Sequence, residues 1–324
     1  MRIIIELPTW LGDSVMATPA IENIVNYYSD PKITIIGSNA SIELLNNHPK
    51  VIKTIVIDKR YLSLFKMARN LGEFDVFFSF RNSIRSTLLK FFIKSIDKFQ
   101  FNKKKYHNAH LVEKYNNFIN SCLGVSSSPN GLKLILNSND WKTIDFFRTF
   151  EGEKYIESTK PILGINPGAQ YGSAKRWNSK KFAIVASELS SKFDILIFGG
   201  PKEKAITKEI EYCLINNNVT NYHNLGGRTS VKELMGYMSQ LSLLITGDSG
   251  PMHIAAGFQV PTIAIFGPTD DKETSQWMNN KSMIVKKNLS CQPCMKRTCP
   301  LQHHDCMSLI KAVDVLKAVE GVIT

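Results

Sequence analysis

Short apolar runs alternate with amphipathic stretches along the first half of the chain. The apolar runs have the length of buried strands, and the stretches between them repeat their apolar residues at helical spacing. Strands that alternate with helices are typical of a parallel sheet covered by helices on both faces. We therefore predict strands over 2–7, 33–37, 54–57, 75–80 and 98–101, and helices over 15–28, 41–47, 61–71, 83–92 and 110–123.

The same alternation starts afresh after a polar and charged stretch that ends near residue 160. It predicts a second parallel sheet. Strands are expected over 162–166, 194–198, 222–225 and 241–246, and helices over 178–190, 202–214, 230–239 and 307–322. We predict the α/β class, with doubly wound domains over 1–158 and 159–306 and a closing segment over 307–324.

Length and composition fit two folded domains. With 324 residues, of which 43% are hydrophobic, the chain can bury a large core. No apolar run approaches the roughly 18 residues of a membrane-spanning helix, and the N-terminus lacks the pattern of a signal peptide. We expect a cytoplasmic protein whose six cysteines are reduced thiols.

The stretch 246–268, TGDSGPMHIAAGFQVPTIAIFGP, combines a strand end, a polar turn, a short helix and another strand. Asp248 or Ser249 would cap the helix, and Pro251 suits its first turn. A phosphate at the helix start would meet backbone N–H donors and the positive helix end, beside Ser249 and His253. Ordinary turn and capping chemistry explains the same residues, so the pattern leaves both interpretations open.

Two further loops follow predicted strands and would face the same edge of the second sheet. Lys175, in the loop 166–177, could reach a phosphate there or be an ordinary exposed lysine. Glu203, after the turn 199–201, could contact a ligand or cap a helix. The chain has no Walker loop and no G-x-G-x-x-G, which disfavours nucleoside triphosphates and dinucleotides.

The loop 8–13, PTWLGD, follows the first predicted strand. Its Asp13 carboxylate could accept a proton from a hydroxyl group of a substrate. Aspartate is also among the best N-cap residues, and a helix is predicted directly after it. The local sequence therefore leaves a catalytic base and a helix cap as alternatives.

The formal net charge of +12 is concentrated between residues 81 and 115. Such a basic region attracts polyanions, and nucleic acid, an anionic lipid surface and an acidic substrate are the candidates. A solvated basic face without a partner is the remaining alternative. The cations of the region are Arg81, Arg85, Lys90, Lys94, Lys98, Lys103, Lys104, Lys105 and Lys114.

Five motifs together resemble the ADP-heptose:lipopolysaccharide heptosyltransferases. They lie over nearly the whole chain, in an order and spacing that make the resemblance specific. The resemblance implies a GT-B fold, with two Rossmann-like domains facing across a cleft and a closing helix that returns to the first domain. The motifs are LPTWLGDSVMATPA at 7–20, NSIRS at 82–86, NPGAQYGSAKRW at 166–177, GDSGPMHIAAG with FGPT over 247–269, and CQPCMKRTCPLQHHDCM at 291–307.

The resemblance also implies roles for residues. Asp13 matches the general base, Lys175 a lysine on the donor diphosphate, Glu203 a ribose-binding acid, and Thr229 a residue near the adenine. Arg85 would help to steer the anionic acceptor. The substrate-binding set that we predict is Lys175, Glu203, Thr229, Asp248, Ser249, Gly250, Met252, His253 and Arg85.

By resemblance, the expected reaction is inverting, metal-independent transfer of L-glycero-D-manno-heptose from ADP-heptose to heptose I of the lipopolysaccharide or lipooligosaccharide inner core. Transfer to the keto-sugar instead is an alternative. We expect no cofactor, no nucleic acid partner and a monomer, which could sit peripherally at the cytoplasmic face of the inner membrane. Two other classes remain open: a nucleic-acid binder, prompted by the charge, and a nucleotide-sugar epimerase on the same scaffold.

The cysteine-containing segment can be interpreted in two ways. Cys291, Cys294, Cys299 and Cys306 have a C-x2-C-x4-C-x6-C spacing, and the first pair has the spacing of zinc ligands. The resemblance does not imply a metal. We therefore predict no metal here, and a packed thiol loop or an adventitious disulfide instead.

Overall fold

The computed structural model describes residues 1–57, 61–137, 147–151 and 154–323. The chain divides into two compact units, Met1–Asn137 and Ser138–Thr324. The predicted boundary between residues 158 and 159 differs from this division, which assigns the short hairpin near residue 150 to the second unit.

The first unit is built on a parallel sheet with the strand order β3-β2-β1-β4-β5. Three consecutive isoleucines of β1, Ile3 to Ile5, are fully buried, because a central parallel strand is covered on both faces. The strands are β1 Arg2–Glu6, β2 Lys32–Gly37, β3 Val51–Val56, β4 Glu73–Ser79 and β5 Lys94–Gln100, and the helices are α1 Leu11–Met16, α2 Thr18–Tyr27, α3 Asn39–Leu45, α4 Tyr61–Asn70, α5 Ile84–Phe92 and α6 Leu111–Leu123.

The single helix predicted over 15–28 is wrong, because the chain forms two helices with a break at Ala17. Pro19 lies in the first turn of α2, where its missing N–H needs no helical partner. Thr18 Oγ1 donates to the Val15 carbonyl at 2.7 Å and satisfies an acceptor at the break. The first helix also starts earlier than expected, directly after the loop 8–10.

The second unit is built on a larger parallel sheet with the strand order β10-β9-β8-β11-β12-β13. This is the order of a doubly wound sheet, in which the order of the strands reverses beside β8, the first of these strands along the chain. Its strands are β8 Ile162–Asn166, β9 Asp194–Ile197, β10 Tyr222–Asn224, β11 Leu243–Gly247, β12 Thr262–Ile265 and β13 Ser282–Val285; an antiparallel hairpin, β6 Arg148–Glu151 and β7 Lys154–Glu157, precedes them. The helices are α7 Ser179–Leu189, α8 Lys204–Asn216, α9 Val231–Met238, α10 Gly250–Gly257, α11 Asp271–Thr274, α12 Asp305–Ser308 and α13 Ala312–Ile323.

These two parallel sheets confirm the predicted α/β class. The sequence pattern missed β6, β7 and β13, which are short strands without a long apolar run. The closing helix α13 packs against α7, β12 and β13 of its own unit. Its predicted return to the first domain stays a prediction.

A buried tryptophan anchors the C-terminal segment to the second unit. The Trp177 indole is 2% exposed, and its Nε1–H donates to the Ile310 carbonyl at 3.0 Å. Lys181 Nζ donates to the same carbonyl at 2.7 Å. The segment that leads into α13 is therefore fixed to the start of α7. Across the described ranges, no helix is long and apolar enough to cross a membrane.

We expect Trp177→Phe to lower the free energy of unfolding by about 1–3 kcal/mol, because it removes a buried hydrogen bond and leaves a cavity. Urea unfolding measures this change. Trp10→Phe is the matched control, since Trp10 is 40% exposed, and it should change stability by less than about 0.5 kcal/mol. Equal effects of the two substitutions would contradict the anchoring role.

Candidate functional site

The predicted ligand loops of the second unit follow neighbouring strands. β8 lies between β9 and β11, and all three run parallel, so their carboxyl ends meet at one edge of the sheet. In doubly wound sheets, ligands bind at this edge beside the reversal of strand order. The loops after β8, β9 and β11 carry Lys175, Glu203 and Asp248 respectively.

An ion pair joins two of these loops. Lys175 Nζ lies 2.5 Å from Asp248 Oδ2 and 3.3 Å from the Asp248 carbonyl oxygen. Thr269 Oγ1 donates to the same Asp248 oxygen at 2.6 Å. The loop 166–177 therefore contacts the loop before α10 directly, and the reach of Lys175 to a phosphate there stays a prediction. Thr269 was not predicted, although it ends the FGPT motif.

The Lys175 side chain also contacts an aromatic ring. The Lys175 ammonium lies 4.8 Å from the centre of the Tyr171 ring, and the Arg297 guanidinium lies 5.3 Å from the same centre. Both distances fit cation–π contacts. The Tyr171 hydroxyl donates to the Met295 carbonyl at 2.8 Å, so the cysteine-containing segment 286–304 supports this ring.

The start of α10 differs from the expected cap. Ser249 occupies the N-cap position with extended backbone angles, but its side chain makes no capping bond. Its hydroxyl instead accepts a hydrogen bond from Asn166 Nδ2 at 3.1 Å and lies 3.2 Å from Thr246 Oγ1. Asn166, which sequence reasoning did not single out, therefore ties the end of β8 to the α10 loop. Gly250 is the first residue of α10.

Two predicted contacts on α10 are buried. Met252 is fully buried and packs with Ala264 and Phe266, so its side chain lies in the core, and its contact with a ligand stays a prediction. Its backbone N–H donates to the Ser249 carbonyl at 3.1 Å. His253 is 3% exposed and thus lies in the interior beneath the helix start.

Glu203 combines a capping role with an unsatisfied oxygen. Its Oε2 accepts the Gly200 N–H at 2.7 Å, which is the capping interpretation, whereas buried Oε1 has no hydrogen-bond partner among the described residues. A side chain at Gly168 would collide with this carboxylate, so the glycine makes room for it. Glu203 and Arg176 line a cavity of about 350 Å³, and the buried Arg176 Nε has no hydrogen-bond partner among the described residues. Thr229 is half-buried in the loop before α9.

In the first unit, Asp13 is the third residue of α1, and the N-cap position is Trp10. The alternative that Asp13 caps the helix is therefore wrong. The loop before the helix is tightly held: Ser41 Oγ donates to the Pro8 carbonyl at 2.8 Å, and Ser14 Oγ donates to Ser41 Oγ at 3.0 Å. The partly exposed Asp13 carboxylate thus stands on a fixed backbone.

A buried carboxylate lies at the same edge of this sheet. Glu6, the last residue of β1, is 1% exposed and accepts hydrogen bonds from Ser79 Oγ at 2.6 Å and Ser86 Oγ at 3.0 Å. Arg81 Nη1 lies 3.3 Å from its Oε1. Burial raises the pKa of Glu6, while the hydroxyl donors and the nearby Arg81 and Arg85 oppose that rise. Arg85, which we predict to steer the acceptor substrate, therefore lies close enough to act on the pKa of Glu6.

The basic region is smaller than the sequence predicted. Lys114 lies on α6 and is 6% exposed, so it is corrected from a surface cation to an interior one. Burial of the Lys114 stem is expected for the inner face of an amphipathic helix. Lys103–Lys105 form an exposed 3-10 turn.

The four cysteines of segment 286–304 and α12 are free thiols near one another. Burial, together with the neighbouring Cys294, Cys299 and Cys291, raises the pKa of Cys306 to about 11. Within the described ranges, no three His, Cys, Asp or Glu side chains are arranged to hold a metal ion. The choice between a thiol loop and a metal site stays a prediction.

We expect the purified protein to carry well below one equivalent of zinc or iron per chain after washing with a chelator. Among the described residues, no three His, Cys, Asp or Glu side chains are placed as the ligands of a structural metal site require. Emission spectroscopy measures both metals. Close to one equivalent that survives the wash, and that is lost in a Cys294→Ser/Cys306→Ser variant, would contradict the prediction.

A family model for glycosyltransferase family 9 (heptosyltransferase) matches residues 64–304. The chain is 38% identical to lipooligosaccharide heptosyltransferase 2 of Campylobacter jejuni subsp. jejuni serotype O:2 over 326 residues, which covers 100% of this chain and 98% of that protein.

Two solved structures have a similar fold. Glycosyl transferase family 9 from Veillonella parvula superposes with a TM-score of 0.80 at 21% identity, covering 99% of this chain and 97% of that one. E. coli ADP-heptose lps heptosyltransferase II also gives 0.80, at 20% identity, covering 100% and 98%. The likeness shows that the two parallel α/β units form the GT-B fold. On this evidence the chain is a glycosyltransferase and belongs to glycosyltransferase family 9 (heptosyltransferase).

Proposed function

We propose that the protein transfers L-glycero-D-manno-heptose from ADP-heptose to the heptose I residue of the lipopolysaccharide or lipooligosaccharide inner core. The observation that carries the proposal is the contact of Lys175 with Asp248 at the start of α10. Family membership and the 38% identical relative named heptosyltransferase 2 support the choice of sugar and acceptor. Membership of a glycosyltransferase family argues against the epimerase and nucleic-acid alternatives.

In this proposal the second unit binds the donor. Lys175 and the N–H groups at Ser249 and Gly250 receive the diphosphate, because a helix start with a lysine beside it favours negative charge. The unsatisfied Oε1 of Glu203 accepts a ribose hydroxyl, and the adjoining cavity supplies the space. Thr229 contacts the adenine. His253 supports the helix start from the interior.

The proposed chemistry is inversion at the anomeric carbon without a metal. As ADP leaves, negative charge grows on the β-phosphate, and fixed N–H donors and the Lys175 ammonium stabilise it there. Asp13 removes the proton from the acceptor hydroxyl that attacks the sugar. Asp13 lies in the first turn of α1, and Ser14 and Ser41 hold the loop before this helix. This placement supports a positioned base.

The acceptor is anionic, so we assign its recognition to Arg85 and the neighbouring Arg81. Arg81 follows β4, and its guanidinium lies 3.3 Å from Glu6 while 21% of its side chain stays exposed. Peripheral attachment to the cytoplasmic face of the inner membrane and a monomeric state belong to the same proposal.

The test of the whole proposal is a transfer assay read by mass spectrometry. Purified protein receives ADP-heptose with either a mono-heptosylated or a keto-sugar-terminated acceptor. Addition of one heptose to the mono-heptosylated acceptor supports the proposal. Addition only to the keto-sugar would replace it with the alternative acceptor, and hydrolysis or epimerisation of the donor without transfer would overturn it.

Lys175→Ala should lower kcat/KM by about 10–1,000-fold, because it removes a cation from the charge that develops on the leaving phosphate. The matched control is Lys180→Ala, which removes an exposed lysine at the start of α7 in the same unit. Steady-state kinetics with calorimetry of ADP binding measures both. Unchanged kinetics in Lys175→Ala would remove the lysine from the site.

Asp13→Asn should lower kcat by about 10²–10⁴-fold, because the amide cannot accept the hydroxyl proton. ADP binding by calorimetry should stay near the wild-type value, since Asp13 is assigned to the acceptor step. Asp30→Asn, at an exposed aspartate of the same unit, is the control and should keep full activity. Near-normal transfer by Asp13→Asn would mean that another group is the base.

A further inference from the structure

Helix α5 and strand β5 expose large apolar side chains in the first unit. Ile84, Leu88 and Phe91 recur at helical spacing on α5 and are 81%, 37% and 78% exposed. Ile96 on β5 is 81% exposed, and β5 is an edge strand of its sheet as far as the described residues show. Single exposed apolar residues are common, but a clustered set usually marks an interaction surface.

Aromatic contacts make the set continuous from α4 to α5. The Phe65 and Phe92 rings lie 4.9 Å apart, edge to face, and the Phe91 and Phe92 rings lie 5.4 Å apart. Phe92 is partly buried against the core of the unit, whereas Phe65 and Phe91 are exposed. The partly buried Phe92 ring therefore connects the core to the exposed Phe65 and Phe91 rings.

Cations border this run of rings. The Arg69 guanidinium lies 5.3 Å from the centre of the Phe65 ring, and Lys98 Nζ lies 3.5 Å from the Phe91 carbonyl oxygen. Lys94 stands two residues before Ile96 and therefore on the same face of β5. We name this surface the α5 face; it comprises Phe65, Arg69, Leu88, Phe91, Lys94, Ile96 and Lys98.

Two acidic side chains, Glu73 and Asp97, lie near the cations of this surface. Glu73 lies 3.8 Å from Lys94, and both side chains are largely exposed. Asp97 alternates with Ile96 and so points to the opposite side of β5, where its charge acts on Tyr28. The α5 face therefore combines exposed apolar rings with cations along their edge.

We propose that the α5 face docks the protein on an anionic phospholipid bilayer. Aromatic and aliphatic side chains enter the interfacial region of a bilayer, and each lysine or arginine near an anionic surface adds attraction. A protein partner would need no such border of cations, and a nucleic acid would leave Leu88, Phe91 and Ile96 without apolar contacts. Docking would bring the enzyme to an acceptor embedded in a membrane; that purpose rests on the proposed function, whereas the docking does not.

Vesicle sedimentation tests the docking with the full-length protein and no donor or acceptor. Wild-type protein should bind vesicles that contain phosphatidylglycerol more tightly than vesicles of phosphatidylcholine alone, and added salt should weaken the binding. Phe91→Ser/Ile96→Ser should weaken it roughly tenfold or more, through lost apolar burial. Lys94→Gln/Lys98→Gln should weaken it about fivefold per lysine, and only on the anionic vesicles.

The matched control is Ile184→Ser/Ile215→Ser, which removes exposed isoleucines from α7 and α8 of the second unit. It should bind vesicles like the wild type. Equal loss of vesicle binding in Phe91→Ser/Ile96→Ser and in this control would overturn the proposal. Equal binding by the wild type and all the variants would also overturn it. A wild-type dimer that Phe91→Ser/Ile96→Ser converts to a monomer, without any vesicle binding, would assign the face to a second copy of the chain instead.

Activity separates this inference from the proposed function. Phe91→Ser/Ile96→Ser should keep wild-type transfer to a delipidated, water-soluble acceptor and lose transfer to the same acceptor in vesicles. Absence of transfer by the wild type to any acceptor would defeat the proposed function but leave vesicle binding as an independent result. Full activity of the variant on vesicle-embedded acceptor would overturn the docking role.

Discussion

The contact between Lys175 and Asp248 is the constraint on which the candidate donor site depends. Their side chains are 12% and 5% exposed, so both charges have largely left water. A buried pair offsets that desolvation only where further hydrogen bonds satisfy it, and Thr269 supplies one to the carboxylate. Three loops of the sheet edge therefore meet at this pair, and separating the loop of Lys175 from that of Asp248 would break the ion pair.

The same pair limits how an anionic ligand can bind. A lysine that is neutralised by a carboxylate attracts a diphosphate less than a free cation does, so the rest of the attraction must come from elsewhere. The start of α10 offers N–H donors. The Arg297 guanidinium, 5.3 Å from the centre of the Tyr171 ring, adds a cation. Asp248 thus acts mainly by fixing the direction of the Lys175 ammonium.

The sequence predicted the elements that long apolar runs define, such as β8 over 162–166, and it identified the loops that carry Lys175, Glu203 and Asp248. It did not predict the break between α1 and α2, where one proline and one threonine hydroxyl outweigh a continuous apolar pattern. It also did not show that the Met252 side chain lies in the core, since spacing along α10 does not tell which face of the helix meets the core.

Contacts between distant side chains were beyond the sequence for a different reason. Thr269 and Asn166 are ordinary polar residues whose role appears only when separate strands end at one edge. Glu6 interrupts an apolar strand, and that signal was visible, but its partners Ser79 and Ser86 belong to another strand and another helix. Motif order identified the family; only tertiary contacts identify which side chains hold the motifs in place.

Segment 286–304 explains why a stretch without helix or strand can shape the site. Gln292 Nε2 donates to the Gly267 carbonyl at 2.6 Å, and the Met295 N–H donates to Pro268 at 2.8 Å, so the segment holds the turn before Thr269. On the other side, the Ala174 N–H donates to the Arg297 carbonyl at 3.0 Å. A side chain at Gly172 would collide with that carbonyl, so the glycine permits the approach. The segment therefore contacts the loop of Lys175 directly, and it reaches Asp248 only through the turn that carries Thr269.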